Sequence, residues 1–145
     1  MPKIDLGNGE VEYRCTARTL TIYEQAFVND PNPKITGDLI ADVFGRQRIG
    51  EDALGLEFDD SGNIKAIIVD YTMDNWNAEW RALWAMLKTQ AEIDAKHNVK
   101  RDPVPSYSAW SADLAEFEPD MRETSNAVMD ELNRGLFRTG AAASE

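Results

Sequence analysis

One cysteine, one histidine and 15 basic residues against 26 acidic ones set the first limits on this chain of 145 residues. With Cys15 alone, no intrachain disulfide framework can exist. His97 has no second histidine, cysteine or nucleophile in register, so it lacks the pattern of a zinc site or of a general base. A formal charge of −11 argues against duplex nucleic acid as a partner, because a phosphate backbone demands a positive patch. No stretch approaches the roughly 18 apolar residues of a membrane span, and no basic region near the N-terminus leads into an apolar run. The expectation is a cytosolic chain that neither enters a membrane nor is secreted. Gly45, Gly50 and Gly55 lie around Arg46 and Arg48, yet they show no phosphate-loop or dinucleotide spacing, so turns with solvated arginines are expected. Asp59, Ser61 and Asn63 open like a calcium loop. Ile64 then stands where that loop needs glycine and Asp70 where it needs glutamate, which removes the calcium reading.

What the chain does hold is a 43% hydrophobic content, enough for a real core, in an order that reads as α+β. Ile4 and Leu6, then Val11, Tyr13 and Cys15, alternate with polar residues on either side of Asn8-Gly9, which is the pattern of a β-hairpin with one apolar face. Cys15 belongs to that face and reads as a small buried hydrophobe. Thr21 with Glu24 forms a capping-box pattern, so a first helix is expected from Thr21, with Tyr23 and Phe27 on one face. The run from Asn29 to Pro33 stops it. A second helix is expected from Thr36 or Gly37 to Phe44, closed by Gly45. Residues 54–69 read as a second hairpin turning at 59–63.

Trp76, Trp80, Leu83, Trp84 and Leu87 recur at helical spacing and make the longest amphipathic stripe of the chain. That helix is expected from about residue 75, capped by Asp74, to between residues 94 and 97, with Glu92 and Lys96 paired on its wet side. Lys96, His97, Lys100 and Arg101 complement its C-terminal dipole. Past the 102–105 linker, Ser106 caps a short helix carrying Tyr107, Trp110, Leu114 and Phe117. Asp120 with Glu123 opens a last helix carrying Met121, Ser125, Val128, Leu132 and Leu136, whose end Gly135 weakens. Residues 1–140 are read as one domain and 141–145 as a flexible tail. The fold class expected is small N-terminal antiparallel hairpins packed against a mainly α-helical body with a long central helix.

Acid is concentrated in two windows. Residues 51–80 carry eight acids against Lys65 alone, and residues 102–131 carry eight against Arg122 alone. Such faces keep a chain soluble and can recruit basic segments. No catalytic triad, metal cluster or phosphate loop is present in the pattern. Acids are plentiful, but nothing nominates one pair as a hydrolytic pair across a cleft. The expectation is a non-enzymatic protein without catalytic, cofactor-binding or metal residues.

The segments TLTIYEQAF, DLIADVFG, NWNAEWRALWAMLKT and VPSYSAW, in that order, with the closing NRGLFRTG, resemble the tail assembly chaperones of long-tailed bacteriophages and prophages. The likeness is to the versions from Gram-positive hosts and covers about residues 10–140. It implies a non-enzymatic role in the host cytoplasm. Family members bind the aggregation-prone tape measure protein and assist polymerisation of the tail tube protein. They self-associate, need no cofactor, and leave before the virion is complete. The alternatives are a structural tail component retained in the particle and a small hydrolase. For that role, Trp76, Trp80, Trp84, Tyr107 and Trp110 are the candidate partner contacts. Their other reading is intramolecular core.

Overall fold

Six residues near the N-terminus already bend the chain on itself. Strand β1 (Lys3–Asp5) pairs antiparallel with β2 (Glu10–Glu12), with Ile4 opposite Val11. The computed structural model describes residues 2–7, 9–44, 55–58, 60–62, 64–68, 73–114, 116–117 and 119–137. The expected cap at Gly45, the arginines at 46 and 48, the ends of the 59–63 turn, Asp70 and the tail after residue 137 lie outside them. The connection is wider than an Asn-Gly turn. Leu6 is buried within it, Gly7 and Gly9 both take positive φ, and the Asp5 carboxylate accepts from their amides at 2.8 and 3.3 Å. The apolar face is as expected: Ile4, Leu6, Tyr13 and Cys15 are buried and Val11 half-buried.

Helix α1 (Ala17–Phe27) starts four residues before Thr21. Thr16 is the N-cap. Its hydroxyl accepts from the Arg18 amide at 3.1 Å, and the Thr19 hydroxyl accepts from the Thr16 amide at 3.0 Å. This reciprocal arrangement, worth about 1 kcal/mol, uses threonine where a capping box more often has glutamate, so the Thr21–Glu24 spacing was a decoy one turn inside. Thr19 also meets Thr89 at 2.7 Å, fastening the helix start to the helix beneath.

Helix α2 (Leu39–Phe44) begins later than Thr36, because the Asp38 side chain accepts from the Ala41 amide at 3.2 Å and closes the turn. Strands β3 (Gly55–Phe58) and β4 (Ile64–Ile68) form the second antiparallel hairpin, with a register irregularity at Glu57/Phe58.

Helix α3 (Met73–Lys96) spans 24 residues and contacts α1, α2 and β2, as well as the two helices that follow. It starts before Asp74, which therefore sits inside the first turn. The middle of α3 is buried all round rather than on one stripe. Ala78, Ala82 and Ala85 are fully covered together with Leu83 and Met86. Alanine there lets neighbouring helices approach closely, and a helix surrounded on every side is the core of its fold. Glu92 faces Arg18 of α1 at 3.1 and 3.3 Å instead of pairing with Lys96. Half-exposed, that pair contributes less than about 1 kcal/mol.

Helix α4 (Tyr107–Leu114) ends before Phe117, which sits in the turn that follows. Helix α5 (Met121–Leu132) is capped by Asp120, whose carboxylate accepts from the Glu123 amide at 2.9 Å. Its buried line is Thr124, Val128, Glu131 and Leu132, while Met121 is exposed. A π-helical turn, Asn133–Phe137, continues it. The architecture is thus a small N-terminal hairpin packed on an α-helical body around a long helix, as the fold class required.

Candidate functional site

The aromatic candidates meet where α3 passes under α1 and α4. Trp84 is buried. Its indole N–H donates to the Pro105 carbonyl at 2.9 Å, and its ring lies edge-on to Phe27 at 5.4 Å and to Tyr107 at 6.2 Å. Tyr107 is half-buried, edge-on to Phe27 at 5.2 Å and tilted against Trp110 at 5.9 Å. Trp80 completes the set, edge-on to Trp110 at 6.2 Å. Edge-to-face contacts of this kind add about 0.5–1.5 kcal/mol beyond area burial. Four of the five candidates therefore hold α4 to α3. Trp76 stands half-buried one turn earlier on α3.

Two members of this cluster, Phe27 and Arg81, were not among the candidate contacts. Phe27 lies at its centre. Arg81 stacks its guanidinium 4.8 Å above Tyr107 and 5.6 Å from Phe27, while Nε and Nη2 grip the Asp30 carboxylate at 3.1 and 3.2 Å. This well-covered fork ties the 28–35 loop to α3. A lone arginine amid the tryptophans was its only signal.

A cavity of about 540 Å³ opens between the N-terminal hairpin, the 101–105 segment and α4. Leu6, Val11, Leu87, Val104, Trp110 and Leu114 supply its apolar lining. Glu10, Glu12, Asp102 and Asp113 are its acidic lining, with Glu12 half-buried and the other three exposed at its edge. Arg101, the cation of the lining, lies 2.6 Å from Asp94 and is engaged there. Of the five aromatic candidates, Trp110 alone lines this cavity. A second hollow of about 390 Å³ lies across the 105–106 segment, between Phe27, Trp84, Lys88 and Tyr107. Lys88 stacks on Trp84 at 5.2 Å.

Comparison of the chain with family models, with curated proteins and with solved structures gives no match.

Cys15 and His97 line neither hollow. Cys15 is buried in the core, and that burial pushes its thiol up to about 11, so it stays a neutral thiol near pH 7. His97 is exposed past the end of α3. Among the described residues, no three histidine, cysteine or acidic side chains are placed to share a metal ion, and no helix is long and apolar enough to cross a membrane.

One buried acid is unusual. Glu79 of α3 accepts from the Ser125 hydroxyl of α5 at 2.8 Å through Oε1, while Oε2 meets no hydrogen-bond partner among the described residues. Burial raises its pKa, against the lowering effect of the Ser125 bond. The folded protein therefore keeps this proton to higher pH than the unfolded chain does. Its stability falls as pH rises from the ordinary glutamate value of about 4.3 through the raised one. Glu79→Gln, neutral at every pH, is expected to lose less thermal stability than the wild type as pH rises from about 4 into the neutral range. Equal losses in the two proteins would remove this assignment.

Proposed function

We propose that the chain is a non-enzymatic tail assembly chaperone. It binds the tape measure protein, keeps it soluble in the bacterial host cytoplasm, and assists polymerisation of the tail tube protein around it. The resemblance of its helical segments to that family supplies the identity of the partners. The observation that supports a binding role is the cavity between the hairpin and α4, which combines an apolar lining with a carboxylate edge. A pocket of this composition suits an amphipathic protein segment better than a small polar substrate. The acidic surface keeps the loaded complex soluble.

Co-expression with the cognate tape measure protein is expected to raise that protein's soluble yield several-fold, and the two should co-purify. An unchanged yield without co-purification would overturn the reading. So would recovery of the chain at tube-like stoichiometry in mature tails, which is the behaviour of a structural component.

A further inference from the structure

We infer that the cavity between β1–β2, the 101–105 segment and α4 is a docking groove for an amphipathic α-helix flanked by lysine or arginine. This rests on the protein-binding reading above and gives its partner a chemistry. Two observations carry it. First, the lining leaves apolar surface partly in water: Val11, Val104, Trp110 and Leu114 are each only half-buried. These residues come from the hairpin, the linker and α4, so the apolar strip runs across element boundaries, as a helix-receiving groove does. Second, the charge at its edge has one sign. Glu10, Glu12, Asp102 and Asp113 carry no ion pair among the described residues, whereas Arg101 is held by Asp94.

That edge selects the occupant. Anionic lipid headgroups and nucleic acid are repelled by four carboxylates. The same acidic edge on a second copy of this chain offers it no complementary charge. A helix with leucine-like residues on one face and cations beside them satisfies both the lining and the edge.

The test titrates the full-length chain into a fluorescein-labelled peptide of about 18 residues, helical, leucine on one face and lysine on the other. A counterpart with every lysine replaced by glutamate is the control. The lysine peptide should bind saturably and at least about tenfold more tightly than its counterpart. A Glu10→Lys, Asp102→Lys, Asp113→Lys triple variant should weaken binding about tenfold or more. A Glu24→Lys, Asp60→Lys, Glu123→Lys triple makes the same charge change at exposed positions away from the groove and should alter binding less than about twofold. Equal weakening by both triples overturns the groove, because a general acidic surface then explains the binding. If the first triple does not give a wild-type circular dichroism spectrum, Glu10→Gln, Asp102→Asn and Asp113→Asn are combined instead. The same two predictions apply to it at reduced magnitude.

Fragments of the cognate tape measure protein, titrated in parallel, separate the two proposals. Fragments that bind the wild type but ignore the edge substitutions overturn the groove and leave the chaperone reading standing. A lysine peptide that obeys those substitutions while no fragment binds supports the groove and overturns the chaperone reading.

Discussion

Asp42→Ala is expected to destabilise the protein by about 3–5 kcal/mol in urea unfolding. The Asp42 carboxylate is buried on α2 and gathers four donors. Oδ1 accepts from the Thr36 hydroxyl at 2.7 Å and shares the Thr36 amide with Oδ2 at 3.1 Å. Oδ2 also accepts from the Gly37 amide at 3.2 Å and from the Tyr23 hydroxyl at 3.0 Å. Alanine would strand the Tyr23 hydroxyl and the Gly37 amide, both on buried residues, while the two donors of the exposed Thr36 turn to water, and an unsatisfied buried donor costs more than a made bond contributes. The carboxylate also fixes the backbone around it. Gly37 holds φ +93°, and a Cβ there would stand 2.7 Å from the Val28 Cα. The loop between α1 and α2 therefore has one way to fold, and Asp42 is what it folds onto. Tyr23→Phe deletes one donor and leaves the acceptor satisfied by three others, so it should cost only about 1 kcal/mol. A loss for Asp42→Ala no larger than that of Tyr23→Phe would show that the donors find water instead.

Asp42 also marks where reading the sequence stops. Its place on a helix was legible, but its partners were not, since Thr36 and Gly37, which supply three of its donors, had read as the start of that same helix. The elements that rest on period were legible. The alternation of Ile4, Leu6, Val11, Tyr13 and Cys15 and the spacing of the tryptophans reflect burial directly, and both survive in the fold. Starts of helices were less so. Thr16 and Thr19 cap α1 with hydroxyls alone, and the better-known threonine–glutamate pattern one turn later drew the boundary to itself. The central position of α3 was half legible. Tryptophan and leucine marked one face, and the alanines that let other helices close in on the remaining faces carry no hydrophobic signal of comparable size.

For the candidate site, helical spacing placed Trp80 and Trp84 together and Tyr107 with Trp110. It could not say that the two sets face each other, with Phe27 and Arg81 between them. The groove was illegible because its lining runs from Leu6 to Leu114 and its central wall is the 101–105 segment, which in sequence is only a proline-rich connection. Nor did composition assign the acids. Sixteen lie in the two acidic windows, yet Glu10 and Glu12 of the groove edge belong to neither.

Gly135→Ala sets the two levels of description against each other, because they give opposite signs. As a glycine in a helical end, Gly135 weakens its turn, and alanine should then stabilise the protein by about 0.5–1 kcal/mol. In the structure the same glycine lies against the backbone of Cys15. A Cβ at residue 135 would sit 2.2 Å from the Cys15 carbonyl oxygen and 2.8 Å from its carbonyl carbon. Backbone cannot swing aside as a long side chain can, so the π-helical turn and the 13–16 connection must separate. That movement also loosens the grip on Cys15. Glu131 accepts from its amide at 2.7 Å, and Arg134, itself paired with Glu131, donates to its carbonyl at 3.1 Å. Overpacking and weakening of two charge-assisted bonds act together, and Gly135→Ala is expected to destabilise by about 3 kcal/mol or more. Hydrogen exchange at the Cys15 amide gives an independent readout. Its protection should fall more than that of the α3 core amides, because the damage is centred on the contact between the 13–16 connection and the π-helical turn. A stabilised variant with Cys15 protection intact would mean that the close approach of residue 135 to Cys15 does not exist in solution. The propensity argument would then be the right one for this turn.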